Sequence, residues 1–390
     1  MLAPKLRFKE FKNNYSNYKL KNIVDFYKGN TLAKSDITSD GNIPCILYGE
    51  LYTKYSEITK QIFSYTNNKS KNLFYSKVND VLIPCSGETA LDISTSTCVL
   101  LDDVALGGDL NVLRPKNIDG RYLSYLLSNK KRITIAKYAQ GDSIVHLYAD
   151  KIKNISIILP CLDEQKKVSL LLELLNKKIE LQQRKIEVLK MYKRGLIHKI
   201  FDYNKNISNQ YKISECINIF DRKTTKNNEF TILSSTKDGI KIQDDYFNRQ
   251  TASENNIGYK IIPRNYITYR SMSDTGDFYF NIQNIIDIGI VSPAYPVFNT
   301  IDTIDINYFI NYINFSSQFK NQILINKEGG TRFALSISKF SDLVIELPEY
   351  EIQLYYSRII SNTDKKIIVG ENKLKNLDAL KKSLLQQMFI

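Results

Sequence analysis

The chain has 390 residues, with 54 Lys and Arg against 41 Asp and Glu, a formal net charge of +13, and 43% hydrophobic residues. That length suits two globular domains with further elements, and that apolar content is ordinary for a folded soluble protein. No apolar run reaches the ~18 residues of a membrane-spanning helix. The charge excess points to a polyanionic partner, nucleic acid first, although abundant Lys, Asn, Ile and Tyr also follow from an AT-rich coding composition.

Residues 1–15 are polar and basic, without the apolar centre of a signal peptide. The cysteines Cys45, Cys85, Cys98, Cys161 and Cys216 are scattered and contain no C-x-x-C, the pattern of reduced cytoplasmic thiols. With His146 and His198 the only histidines, a Cys/His zinc site has almost no support. Up to residue 154 the pattern is mixed, with a β-type run at 78–84, a helical patch at 121–128 and polar loops. Residues 155–159 form a β-rich run that Pro160 stops. Asp163 and Glu164 then open a helix, where acids suit the helix dipole.

From Val168 the apolar residues keep heptad time: Val168, Leu172, Leu175, Ile179, Gln182, Ile186, Leu189, Lys193, Leu196, Ile200. Residues 204–342 are mixed again, with a β-type run at 266–270 and a helical patch at 308–313. A strand at 343–347, Pro348 and a second helix follow. Its seam is Tyr356, Ile360, Thr363, Ile367, Gly370, Leu374, Leu377, Lys381, Leu384, Met388. Residues 155–201 thus recur at 343–389 without a gap, with thirteen of forty-seven positions identical, where chance gives only a few. Pro160, Gln165, Lys178, Leu189, Lys193 and Phe201 recur as Pro348, Gln353, Lys366, Leu377, Lys381 and Phe389. A repeat of that period means a duplicated unit and an internal two-fold.

Each helix, over 163–201 or 351–389, would be roughly 55–60 Å long at about 1.5 Å per residue. Neither has a partner in its own half, so the economical packing sets one antiparallel to the other. A seam shared between two chains of a homodimer is the alternative. Lys193 and Lys381 break both seams at one place, either fixing register or snorkelling from a frayed end. The segments 1–154 and 204–342 are each of domain size and resemble each other far less. An echo is Tyr18-Lys19-Leu20 against Tyr211-Lys212-Ile213.

Catalytic signatures are mostly absent. The prolines are never adjacent, which excludes an N-P-P-Y or D-P-P-Y amino-methyltransferase motif, and there is no Gly-Lys pair for a P-loop. Neither G-x-S-x-G nor H-E-x-x-H occurs, and the Gly-Gly pairs at 107–108 and 329–330 lack dinucleotide-loop spacing. Asp163-Glu164-Gln165-Lys166 has a nuclease-like look, but Glu351-Ile352-Gln353-Leu354 loses it, so a helix start explains it better.

Taken together, these residues resemble the specificity (S) subunit of type I restriction-modification systems, over nearly the whole chain. The marks are the twice-used strand, proline, glutamine five residues on, and long helix. Leu6-Arg7-Phe8 with Glu10-Phe11 is another. Inside the globular parts they are Ile83-Pro84-Cys85-Ser86-Gly87-Glu88-Thr89 with Ala105-Leu106-Gly107-Gly108-Asp109-Leu110. In the second half they are Gly289-Ile290-Val291-Ser292-Pro293-Ala294-Tyr295 with Gly329-Gly330-Thr331-Arg332. A departure is the lack of tryptophan, with Tyr15 where many relatives place one before the first strand.

The resemblance implies a mixed α/β (α+β) fold. Two target recognition domains, at 1–160 and 204–348, are joined by two long antiparallel coiled-coil helices, at 161–203 and 349–390, with internal pseudo-two-fold symmetry. It implies a non-catalytic, cytoplasmic chain that reads a bipartite, asymmetric site on double-stranded DNA. Two methyltransferase (M) subunits and the restriction/translocase (R) subunits would bind it. S-adenosylmethionine, ATP and Mg2+ would sit on those partners and none on this chain. The helix length corresponds to about 16–17 base pairs, and docking beside the helix ends shortens this to half-sites of about 3–5 base pairs and a gap of about 5–8. A catalytic component with its own recognition domains, and a coiled-coil adaptor without DNA specificity, are the competing readings.

Base contacts require Arg, Lys, Asn, Gln or small polar groups at loop tips. In the first domain the candidates are Ser86, Glu88 and Thr89 after a strand, and Lys137, Tyr138, Gln140, Asp142 and Ser143 around Gly141. In the second they are Tyr269, Arg270 and Ser271 after the corresponding strand, and Thr331 and Arg332 after the Gly329-Gly330 turn. Arg270 and Arg332 lead, because a guanidinium can pair bidentately with guanine.

Overall fold

The computed structural model describes residues 3–141, 144–203, 208–243, 255–326 and 333–390. They divide into two compact units, Met1–Gln183 with Asn372–Ile390, and Arg184–Glu371. No helix among the described residues is long and apolar enough to cross a membrane.

In the first unit, strand Ser16–Lys19 pairs antiparallel with Ser156–Leu159, setting Tyr18 opposite Ile157. A helical turn, Leu20–Ile23, buries both its apolar ends and leads into strand Val24–Lys28. That strand pairs with Leu110–Pro115, which pairs with Asp80–Pro84, and Thr97–Val99 follows. Asp80–Pro84 is buried throughout and carries Val81, Leu82 and Ile83 into the core. It starts at Asp80, two residues into the apolar run, because Asn79 takes a φ of 80°, a left-handed conformation that asparagine tolerates. The Asn79 amide donates to Val99 O at 2.9 Å, and its side chain accepts the Gly120 amide at 2.6 Å. Gly120 must lack a side chain, since a Cβ there would lie 2.3 Å from Asn79 O. Helix Gly120–Tyr125 then packs on the sheet.

The second unit repeats this plan. Ser208–Lys212 pairs with Val344–Pro348, and Tyr211 stands opposite Ile345. The turn Ile213–Cys216 leads into Ile217–Ile219, and the sheet continues through Val297–Thr300, Ile267–Tyr269 and Phe280–Ile282. Asn265, with φ of 66°, precedes Ile267–Tyr269 as Asn79 precedes Asp80–Pro84. Helix Ile306–Phe315 takes the place of Gly120–Tyr125. The strand here is shorter than the apolar run at 266–270.

The long helices are Leu162–His198, followed by a π-helical turn at Lys199–Tyr203, and Tyr350–Gln387. Each contributes one half to each unit. None of the heptad seam positions of either helix is exposed. In the first unit Leu175 and Ile179 meet Leu377, with Leu374 and Leu384 beside them. In the second, Lys190 pairs with Glu371 and Lys193 with Asp364, each at 2.6 Å. Rising numbers on one helix meet falling numbers on the other, so the helices are antiparallel and the seam is filled within the chain rather than by a second copy. Both polar breaks are ion pairs: Lys193 takes Asp364, and Lys381 takes Glu57 of the first unit's globular part at 3.2 Å.

One contact set, present in both units, locks helix to domain. Gln165 accepts the Asp119 amide at 3.1 Å through Oε1 and donates to Pro160 O at 2.9 Å through Nε2. Asp119 caps helix Gly120–Tyr125, accepting the amides of Arg121 and Tyr122, and takes the Ser169 hydroxyl at 3.2 Å. In the second unit Gln353 accepts from Asp305 at 3.0 Å and donates to Pro348 O at 2.8 Å. Asp305 caps helix Ile306–Phe315 through the Tyr308 amide and takes the Ser357 hydroxyl. The far ends of the helices close the set crosswise: Phe389 lies 4.8 Å from the Tyr122 ring and Phe201 lies 5.3 Å, edge-on, from Tyr308.

Glu164 does more than suit a helix dipole. It is fully buried, gripped by Arg7 through Nε and Nη2 at 2.8 Å each, and accepts the Tyr15 hydroxyl at 2.9 Å. Lys167, one turn on, lies 4.7 Å from the Phe8 ring and pairs with Glu10. The N-terminal pattern of Arg, Phe and Glu is therefore the strap that holds residues 7–15 on the first helix.

Two stability measurements follow. Replacing Gln353 with Leu strands the Asp305 amide and Pro348 carbonyl, and denaturant unfolding should register a loss of about 1–3 kcal/mol; an unchanged midpoint would remove the clamp from the argument. Gly195 lies in the helix, and a methyl group added there would meet nothing within 4 Å, so Gly195→Ala should raise stability by about 0.5–1 kcal/mol.

Candidate nucleic-acid interface

In each unit the strand that leads to the candidate loops runs into a two-stranded ribbon. Asp80–Pro84 continues into Ser86–Gly87, which pairs with Val145–His146. Ile267–Tyr269 continues into Met272–Ser273, which pairs with Phe333–Ala334. In the first unit the ribbon brings the described candidates of both groups to one place, although they are about 50 residues apart along the chain.

In the first unit Glu88 and Thr89 are exposed where the chain leaves the ribbon, and Lys137, Tyr138 and Gln140 are exposed where it returns. Gln140 closes the returning hairpin by exchanging backbone hydrogen bonds with His146, at 3.0 and 2.7 Å. Gly141 has a φ of +118°, and a Cβ there would lie 2.2 Å from Ile144 O, so only glycine makes this turn. Asp142 and Ser143 lie outside the described residues. The Thr89 hydroxyl is spent locally, accepting the Asp92 amide at 3.1 Å and donating to the Asp92 carboxylate at 2.6 Å. That is turn chemistry.

Ser86 does not stand in a loop. It is a buried strand residue whose hydroxyl meets His146 Nδ1 at 3.1 Å, because the ribbon puts the two opposite each other. His146 stacks on Tyr148, and no carboxylate among the described residues bonds to its ring, so nothing orients the pair as nucleophile and base. The adjoining Cys85 thiol is pushed up to about 11 by burial, which keeps it protonated and unreactive.

In the second unit Arg270 is exposed and unpaired with any carboxylate among the described residues. Its charge partly offsets the burial that pushes the Tyr295 hydroxyl up, which places the guanidinium near Tyr295. Ser271 donates to Ala294 O at 2.8 Å, and its own carbonyl accepts the Leu335 amide. Tyr269 does not follow the strand. It ends it, fully buried, with its hydroxyl donating to Leu335 O at 3.0 Å and its ring 4.6 Å from Phe280. Alternation along the strand turns it into the core, where it cannot reach a ligand. Thr331 and Arg332 lie outside the described residues.

Sequence reasoning passed over one group. Lys130, Lys131 and Arg132 stand in a row where helix Gly120–Tyr125 gives way, through a π-helical turn at Leu126–Lys130, to helix Arg132–Ala136. Arg132 donates to Leu91 O at 3.0 Å, which sets this row against the loop that carries Glu88 and Thr89. The available signal was the run of three basic residues at the end of a helical patch.

A duplicated strand, proline and helix scaffold with diverged globular parts, on a chain of net charge +13, defines a class of two-domain scaffold proteins whose charge suits a polyanion. Comparison with known proteins narrows that class. The pattern of the type I restriction modification DNA specificity domain matches residues 12–191. The MjaX type I restriction enzyme specificity subunit of Methanocaldococcus jannaschii is 34% identical over 113 residues, 28% of this chain and 27% of that protein. The chain thus spans about a quarter of the curated relative it matches. Among solved structures, the S subunit of a type I system from M. genitalium superposes over 100% of this chain and 99% of its own, with a TM-score of 0.62 at 15% identity. The HsdS subunit of Thermoanaerobacter tengcongensis covers 97% of both chains, with a TM-score of 0.50 at 11% identity. Residues 12–191 thus match the type I restriction modification DNA specificity domain, and the chain as a whole has the fold of type I specificity subunits.

Burial separates two neighbouring candidates. Tyr269→Ala should cost about 3–5 kcal/mol, as for other buried aromatics, whereas Arg270→Ala should stay within about 0.5 kcal/mol of the parent. Thermal unfolding of the two variants tests this, and equal losses would put Arg270 in the core as well.

Proposed function

We propose that this chain is the non-catalytic component that gives a type I restriction-modification complex its DNA sequence specificity. Residues 1–160 and 204–348 act as two target recognition domains, each reading one half of a gapped, asymmetric site. The helices, within 161–203 and 349–390, set the unread gap between them. The observation that carries this reading is the contrast within the molecule. The Gln, Asp and Ser clamp is the same atom for atom in both units, while the loops beside it share almost nothing. A duplicated scaffold with diverged tips suits two different half-sites on one duplex.

In this proposal two methyltransferase subunits bind the chain, with S-adenosylmethionine on them, and restriction/translocase subunits add ATP- and Mg2+-dependent cleavage, all in the cytoplasm. Of the candidates read from the sequence, Glu88, Lys137, Tyr138, Gln140 and Arg270 are exposed and can approach base edges or phosphates.

The test is co-expression with the methyltransferase subunit in a methylation-free host and mapping of N6-methyladenine across its genome. The expected result is one two-part motif with a fixed gap. No new methylation, with the partner soluble and bound, would overturn the proposal. In the same assay Arg270→Ala should relax one base position in one half-site, at a cost of about 1–3 kcal/mol in binding, and leave the other half-site unchanged.

A further inference from the structure

The row Lys130, Lys131 and Arg132 is built as no stability argument would build it. In the turn at Leu126–Lys130 the Lys131 amide donates to Leu126 O, five residues back, at 3.0 Å. Such π turns are rare and tend to mark functional positions. Here the turn is fastened to the end of the loop at 88–96: the Ser96 amide donates to the Ser128 hydroxyl at 2.8 Å, and that hydroxyl donates to Ser96 O at 3.0 Å. Arg132 fastens the middle of the same loop through Leu91 O. Three cations are thereby held beside one candidate reading loop.

Their charges are left uncompensated. No carboxylate among the described residues pairs with Lys130, Lys131 or Arg132. The Arg132 Nε is buried with no hydrogen-bond partner, although the same guanidinium bonds Leu91 O. Lys131 is half-buried, and burial together with the neighbouring Lys130 charge holds its ammonium below the ordinary lysine range. Asp92, next to Leu91, takes the Thr89 hydroxyl and pairs with none of the three. Clustered like charges cost stability unless negative charge is brought to them, and a phosphodiester supplies it together with acceptor oxygens for the lysine ammonium groups.

We propose that Lys130, Lys131 and Arg132 form a phosphate-binding site that seats one DNA strand against the loop at 88–92 of the first unit. This rests on the DNA-recognition reading and adds the group that sets the register of that loop on the backbone. At the equivalent place in the second unit, after helix Ile306–Phe315, the chain runs through Ser316, Ser317 and Gln318, which carry no charge.

Arg132 also supports Leu91, so the two lysines carry the test. Full-length chain, parent and Lys130→Gln, Lys131→Gln variants, is titrated over a salt series into two duplexes, one with the motif from the methylation map and one with that motif scrambled. Each lysine removed should lower the slope of log affinity against log salt by about 0.9. It should weaken both duplexes by the same factor, leave the methylation motif intact, and not lower the melting temperature. Parental slope and affinity in the variants, with the parent still preferring the motif, would overturn the site alone. A motif altered at one base would overturn it too, since that is base reading. A parent that does not distinguish the duplexes overturns the recognition reading and this site with it.

Discussion

The structure hangs on a glutamine side chain used twice. At each junction of strand and helix two backbone groups, a carbonyl and an amide, need a side-chain partner. Gln165 and Gln353 take one such carbonyl, that of the proline, and one amide from the globular part, that of the capping aspartate. Both groups are shielded from water, so an amide side chain, donor and acceptor at once, fits where neither an acid nor an apolar residue would. The aspartate in turn orients the domain's own helix. A direction set at the first turn of a long helix governs everything along it, and this clamp sets that direction for each helix.

The helices then pack by a seam that is apolar except for one lysine each. Both lysines are answered by carboxylates, but not by equivalent ones. Lys193 finds Asp364 on the other helix, and Lys381 finds Glu57 on a globular domain. A half-buried cation is costly alone and tolerable when paired, so the same residue can persist in both copies while its partners differ. The start of the helices differs in a similar way. Glu164 is buried and needs Arg7 and Tyr15, whereas the second helix carries Ile352 at that place and needs no such strap. Tyr15 is more than a filler for an absent tryptophan, because its hydroxyl helps satisfy that buried charge.

Loops beside this scaffold obey looser rules. A ribbon sets their roots, and Gly141 and the Asn79 and Asn265 turns fix the backbone where it must reverse. Between those points side chains are free to differ. Some candidates proved to be roots rather than tips: Ser86 and Tyr269 are buried where the strands still run, and Thr89 is consumed by its own turn. What stays exposed is sparse, mixed in charge and different in the two units.

The sequence by itself determined the two strand–proline–helix copies, their seams and their direction, because heptad periodicity and an ungapped repeat are local patterns. It also held the repeat of the globular parts, but in a form that could not be aligned. Tyr18 matches Tyr211 at one offset, and Asn79 matches Asn265 and Tyr122 matches Tyr308 at another, and neither offset is that of the helices. Of these, only the Tyr18 and Tyr211 echo, with its neighbours, shows in the sequence; the isolated Asn and Tyr matches do not show without the fold. The tertiary structure alone decided which side chains reach the surface. Whether Tyr269 faces a ligand or the core depends on one step of strand alternation, and whether Lys130, Lys131 and Arg132 stand beside a loop about forty residues earlier depends on contacts between segments far apart in the chain.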